Sequence, residues 1–372
     1  MIYADNAATT KLDIDAFEAM KPYLLEQYSN VSQPYSFARS SKKALKQARE
    51  TIAASINAEP EEIYFTSGGT ESDNWAVKGM MYDLDDKRLF LTSQIEHHAI
   101  LHTASAVRRM GFAVELMPVT EKGLISSEIM EEYISEKTKL VSVMFANNEI
   151  GTIKPIKKLA KIAHEKGAIF HTDAVQAVGH VPIDVKELDI DMLSASAHKF
   201  NGPKGIGFLW VKKGIPLKIY MDGGAQESSM RAGTENIASI VGMAIALKNN
   251  CDAMKKNISH LRELEKILLE ELRKKNIDFI CNGSDLKIPG NMSLSFKGFE
   301  GEMLLHRLDL KGICVSTGSA CDSQNTQISH VLKAINLCED YAIGTIRISF
   351  GKENSVDEVR QIVKAIVSIV NR

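Results

Sequence analysis

The chain has 372 residues, 44% of them hydrophobic and 25% charged, the composition of a globular protein long enough for two domains. Its formal net charge of −2 supplies no long-range field that would draw nucleic acid or an anionic membrane surface. The five cysteines, Cys251, Cys281, Cys314, Cys321 and Cys338, are odd in number, widely spread and never spaced C-x-x-C, which excludes a disulfide framework and a structural zinc pattern and suits a reducing compartment.

The opening Met1-Ile-Tyr-Ala-Asp5 lacks the charged and apolar regions of a leader, and apolar runs such as Leu140 to Ala146 are too short to span a bilayer, so a cytoplasmic protein is expected. Strands are expected at 62–66, 88–92, 113–117, 139–145, 168–172, 191–195 and 205–211. Helices are expected between most of them, at 71–81, 98–110, 127–135 and 156–166. The strand runs are mostly apolar, as strands covered on both faces by helices must be, which predicts a largely parallel α/β sheet. After Thr234 the pattern changes to a long helical region reaching about Lys275. Strands near Phe279, 292–296, 313–316 and 345–349 follow, with helices at 301–308 and 356–370. This reads as a large α/β domain over 22–255 and a smaller α+β domain made of 1–21 and 256–372, with no internal repeat.

Five segments could carry chemistry. In Thr66-Ser-Gly-Gly-Thr-Glu-Ser-Asp-Asn74 a strand ends, Gly68 and Gly69 turn the chain and a helix begins. Free backbone N–H groups with Thr70 would hold a phosphate there, or the segment is simply a helix cap. In Ser194-Ala-Ser-Ala-His-Lys-Phe-Asn-Gly-Pro-Lys-Gly-Ile-Gly207, Lys199 follows a strand end. Desolvated, it could form a Schiff base, with Lys204 as a competitor and a solvated loop lysine as the plain alternative. Asp173, at the end of an apolar strand, needs a cationic partner if buried, such as a protonated pyridine nitrogen; an N-cap is the alternative. In Glu96-His97-His98, His97 could lie against a flat ring. His98 and His102 have i,i+4 spacing but lack a third metal ligand, so no metal site is expected. Cys321 stands in Val315-Ser-Thr-Gly-Ser-Ala-Cys321, a polar run unlike a core cysteine's neighbours. Its thiol, ordinarily of pKa about 8.5, would need a nearby cation to become an effective nucleophile.

Taken together, these segments resemble the cysteine desulfurases of the NifS/IscS type, a branch of the fold-type I, class V aminotransferase-like enzymes. The resemblance covers essentially the whole chain. It rests on Tyr3-Ala-Asp-Asn-Ala-Ala-Thr-Thr10, the Gly-Gly-Thr turn, Glu-His, Asn147-Asn-Glu-Ile-Gly151, Asp-Ala-Val-Gln, His-Lys with Gly-Pro-Lys-Gly, Arg231-Ala-Gly-Thr234, Gly318-Ser-Ala-Cys321 and Ile346-Arg347. It implies pyridoxal 5'-phosphate as cofactor and L-cysteine as substrate, with Lys199 as the Schiff-base lysine. Asp173 would pair with the ring nitrogen, Gln176 with the ring hydroxyl, and His97 would stack on the ring and assist proton transfer. Gly69, Thr70, Ser196 and His198 would hold the phosphate, with Thr234 reaching in from the second subunit of a homodimer. Asn148 and Arg347 would bind the substrate carboxylate. Cys321 would take the sulfur as a persulfide and pass it to an acceptor protein, for iron–sulfur cluster assembly or tRNA thiolation. A selenocysteine lyase, another aminotransferase-like enzyme or a non-catalytic partner-binding subunit are the alternatives. Two segments depart from the family pattern: Asn30-Val-Ser-Gln-Pro-Tyr-Ser-Phe-Ala38, with Val31, Tyr35 and Ala38 for Pro, His and Gly, and Gly223-Gly-Ala-Gln-Glu-Ser-Ser229, with Ser228 and Ser229 for Arg and Gly.

Overall fold

The computed structural model describes residues 1–83, 86–318 and 328–371. In chain order the strands are β1 (Ile2–Tyr3), β2 (Ile63–Thr66), β3 (Leu89–Ser93), β4 (Ala113–Met117), β5 (Thr138–Ser142), β6 (Ile169–Asp173), β7 (Met192–Ser196), β8 (Gly207–Val211), β9 (Phe279–Asn282), β10 (Asn291–Phe296), β11 (Ile313–Cys314) and β12 (Thr345–Ser349). Strands β2 to β8 form a seven-stranded sheet in the order β2-β8-β7-β6-β5-β3-β4. Neighbours pair in parallel except around β8, which runs antiparallel to both β2 and β7. Every residue of β3, β7 and β8 is buried, because helices cover both faces, and this is why those runs read as continuously apolar or small.

That topology sets up the site. The carboxyl ends of β2, β3, β5, β6 and β7 all open toward one edge of the sheet, the place where ligands sit in doubly wound folds. Asp173 ends β6, and the turns leaving the other four ends carry Gly68, His97, Asn148 and Lys199.

A second core joins the antiparallel sheet β12-β10-β9 to the helices Met254–Lys274 and Val356–Val370. Val359, Ile362, Val363, Ile366 and Ile369 of the last helix are buried, the i, i+3, i+4 stripe of an amphipathic helix. Ile2 and Ala4 belong to this core, whereas Ala16, in the helix Ile14–Leu25, belongs to the large one. That helix lies along Ile237–Asp252. The long helical region after Thr234 is two helices, Ile237–Asp252 and Met254–Lys274, broken at Ala253, whose φ of −92° and ψ of 1° leave the helical well. Among the described residues no helix is long and apolar enough to cross a membrane.

Candidate active site

The turn after β2 has no room for larger residues. A Cβ on Gly69 would come within 2.5 Å of Val175 Cγ2, and Gly68 adopts a φ of 150°, a conformation that favours glycine. The helix Gly69–Met80 starts at this point, so the first N–H groups have no partner within the helix and the positive end of its dipole faces the cavity. Glu71 braces the turn: its carboxylate accepts from Ser67 N at 2.8 Å and from Arg231 Nε at 2.8 Å.

Lys199 lies just past β7, in the single turn Ala197–Lys199. Its Nζ donates to the carbonyls of Ala7 at 2.6 Å and Ala8 at 2.8 Å. The amine is therefore held by backbone from the opening segment, which also binds the neighbouring His198 through Thr9 Oγ1 at 3.1 Å. Burial and the nearby Lys199 and Lys204 pull His198 down to about 4, so its ring is neutral at pH 7. Gln176 donates from Nε2 to Ala7 O at 3.0 Å.

Asp173 ends β6, 5% exposed, and accepts from Val175 N at 2.9 Å. Burial pushes its carboxyl up to about 6, against the opposing pull of Lys199. The sequence reading missed what lies behind it. Asp73, one turn into the helix Gly69–Met80, is also buried, and burial plus the Asp173 carboxylate hold it well above the ordinary carboxylate range. His171 bridges Ser142 Oγ at 2.8 Å and Ser194 Oγ at 2.9 Å, and burial lowers it to about 3. Glu96, raised to about 8 by burial, accepts from Ser93 Oγ and from Met144 N, with Lys154 buried nearby and lowered to about 7. Asp73 could be suspected only from a carboxylate at a helix position whose neighbours Ser72 and Trp75 face inward.

His97 caps the helix His98–Arg109: its Nδ1 accepts from Ala99 N at 3.1 Å. Burial and Lys199 lower it to about 4, so the neutral ring carries its proton on Nε2. Asn147 builds the next turn, accepting the N–H groups of Glu149 and Ile150 on its side-chain oxygen. This presents Asn148 to the cavity and its carbonyl to Arg347 Nη1 at 2.9 Å. Arg347, 3% exposed on β12, also pairs with Asp5 at 2.7 Å, and its Nε has no hydrogen-bond partner.

Lys199, Asp173, His97, Gly69, Thr70, Gln176, Ser196, His198, Asn148 and Arg347 thus line one cavity of about 500 Å³, with Asp73 at its wall. Thr234 is exposed and does not line it. Cys321 lies outside the described residues. His98 stacks with His102 at 5.0 Å between ring centroids. Among the described residues no group of His, Cys, Asp or Glu is arranged to hold a metal ion.

The donor set suits a flat ligand carrying an anion and a protonated ring nitrogen: a helix start and hydroxyls for the anion, a buried carboxylate for the cation, and an amine, all lining the same cavity. Comparison with known proteins gives the same class. The aminotransferase class-V family model matches residues 2–362. A cysteine desulfurase IscS of Clostridium botulinum is 44% identical over all of this chain and 94% of its own length. Another, of Methanosarcina thermophila, is 44% identical over all of this chain and 92% of its own. A solved NifS-like protein superposes with a TM-score of 0.94 at 35% identity, covering 100% of this chain and 99% of that one. SspA in complex with cysteine superposes at 0.84 and 36%, covering 94% and 99%. The chain belongs to the class-V aminotransferase family, in its NifS/IscS-type cysteine desulfurase branch.

Proposed function

We propose that the protein is a pyridoxal 5'-phosphate-dependent cysteine desulfurase, working as a cytoplasmic homodimer, that converts L-cysteine to L-alanine and holds the sulfur as a persulfide on Cys321. The observation that carries this is the convergence of Lys199, Asp173 and the Gly68–Thr70 turn on one cavity.

The Gly68–Thr70 turn, Ser196 and His198 would hold the phosphate, Asp173 the ring nitrogen, Gln176 the ring hydroxyl, and His97 the ring face. Bound there, the cofactor supplies an electron sink for charge developing at the amino acid's Cα. Arg347 and Asn148 would bind the substrate carboxylate, with Arg347 Nε as a donor still available. Lys199 would take the Cα proton. The Cys321 thiolate would then attack the substrate sulfur. The Cβ–S bond breaks, its electron pair stays on the carbon fragment, protons from Lys199 or His97 complete alanine, and an S–S bond forms on Cys321. Asp173 would stay ionised beside the ring's cation.

Thr234, exposed in the single chain, would reach the partner's phosphate. The sulfur would go to a cluster scaffold or a tRNA-thiolation enzyme. The test is alanine release from L-cysteine by the holoenzyme. Lys199→Ala abolishes it together with the bound-cofactor absorbance; Cys321→Ala abolishes it and keeps the absorbance. Activity retained in both variants refutes the reading.

A further inference from the structure

Strand β2 ends the large sheet, with β8 as its hydrogen-bonded neighbour. The outer edge of such a strand carries open peptide groups that need partners. Here charged side chains stand in for a further strand. Ile63 O accepts from Arg49 Nη1, Phe65 N donates to Glu227 Oε2 at 2.9 Å, and Ser67 N, just past the strand, donates to Glu71 Oε2 at 2.8 Å. Alternate residues of an extended chain turn their peptide groups to the same edge. One row of contacts therefore runs off the strand and into the Gly68–Gly69 turn.

Both carboxylates depend on one short segment. Glu227 belongs to it, and Arg231 reaches from it to Glu71, donating from Nε to Oε1 at 2.8 Å and from Nη2 to Oε2 at 3.1 Å. This two-pronged pairing fixes the carboxylate's position as well as its charge. Glu227, Ser228 and Ser229 hold φ of 47°, 57° and 65°, left-handed conformations disfavoured in residues that carry a side chain. Such strain persists where surrounding contacts over-determine the backbone. The Arg231 end is fixed as well: Ala232 N donates to Met221 O at 3.1 Å and Tyr220 N to Met230 O at 3.0 Å. The Tyr220 ring stacks on Trp75 at 5.8 Å between centroids, and Trp75 Nε1 donates to Lys218 O at 2.9 Å. Trp75 is fully buried in the helix Gly69–Met80, so Arg231 is mounted on the same helix whose first turn it braces. Glu71 itself lines the cavity at that helix start, where a bare carboxylate would repel a bound anion. Burial pushes its carboxyl up, but Arg231 and Ser67 outweigh burial and hold it below the usual carboxylate range. Glu71 is therefore ionised at pH 7, with its charge balanced by the guanidinium.

We infer that Arg231 is a positioning residue for the cofactor phosphate: through Glu71 it fixes the Ser67 N–H and hence the Gly68–Gly69 turn, and it cancels the carboxylate charge beside the anion. The inference rests on the proposed reading of this cavity as a pyridoxal phosphate site. It predicts a loss of affinity for the phosphate and not for the ring.

The test compares pyridoxal 5'-phosphate with pyridoxal, which lacks the phosphate. Each is titrated into full-length protein stripped of cofactor, and the absorbance of the bound form gives its dissociation constant. The readout is the preference for the phosphorylated ligand; a general loosening of the fold weakens both ligands and leaves that preference unchanged. Arg231→Ala is expected to lower the preference about thirtyfold, the worth of hydrogen bonds between charged groups, with pyridoxal affinity near the wild-type value. Arg231→Lys keeps the charge but loses the fork; it is expected to lower the preference about fivefold, one of the two hydrogen bonds being lost. Wild-type preference in Arg231→Ala, whether its two affinities are unchanged or fall equally, would overturn the inference. If Arg231→Ala does not fold, Arg231→Lys decides it by the same ratio. If the wild type binds neither ligand, the cofactor reading fails and the inference fails with it. A wild type that prefers the phosphorylated ligand keeps that reading whatever the variants do.

Discussion

Asp173→Asn is expected to make the apoprotein more stable at pH 8. The Asp173 carboxyl, ordinarily near 3.8, is pushed up to about 6 by burial. Between those values the native state holds a proton that the unfolded chain has released, so stability falls as pH rises through the window, and above pH 6 the full cost of the buried anion is present. The gap is worth about 3 kcal/mol, and Asp73, itself raised partly by Asp173, adds to it in the same direction. Asparagine has nearly the same shape, keeps an oxygen for Val175 N, and carries no charge. Urea unfolding of cofactor-free protein should show Asp173→Asn more stable than wild type by about 2–3 kcal/mol at pH 8, the advantage vanishing below pH 4. Added pyridoxal phosphate should then raise the wild-type midpoint more than the variant's, because only the wild type has an anion for the ring nitrogen. A variant no more stable than wild type at pH 8 would refute the view that Asp173 is a buried carboxylate whose cost Val175 N and Lys199 offset only in part.

Three further outcomes can be measured the same way. Ser229 holds a φ of 65° where the family pattern has glycine; Ser229→Gly should stabilise the protein by about 1 kcal/mol, since a left-handed conformation costs a non-glycine residue about that much. Arg49 forks onto buried Glu227 at 2.9 and 2.7 Å, so Arg49→Ala, which leaves that anion without its cation, should lower urea stability by about 3–5 kcal/mol. His97, lowered to about 4 by burial, refuses a proton that the unfolded chain accepts near pH 6.5; its contribution is intact above that pH and is lost as pH falls toward 4. His97→Asn, which can still cap the helix, should therefore lose less stability than wild type between pH 6.5 and pH 4.

The elements were legible because their periodicity is local. Strand β4 falls on Ala113–Met117 as read from its apolar content, and regular β5 stops at Ser142, earlier than expected, although Val143 N and Phe145 N still bond His171 O and Asp173 O of β6 at 3.1 and 2.8 Å as the chain runs on to the Asn147 turn. The reversed direction of β8 was not legible, since an apolar run has the same pattern in either direction. The site residues were found as strand-end motifs that match a family. What escaped were contacts between distant segments: the Ala7 and Ala8 carbonyls that grip Lys199 from 192 and 191 positions away, the Asp5 carboxylate on Arg347, and Asp73 behind Asp173. Nothing in the spacing along the chain encodes such meetings; they appear only once the opening strand pairs with β11 and crosses to the large core.

The most direct test is a mass spectrum of the holoenzyme after brief exposure to L-cysteine. The Cys321 peptide should gain the mass of one sulfur atom, reversibly removed by a reducing thiol, while the peptides of Cys251, Cys281, Cys314 and Cys338 stay unmodified. An unmodified Cys321 peptide in an enzyme that is releasing alanine would contradict the account.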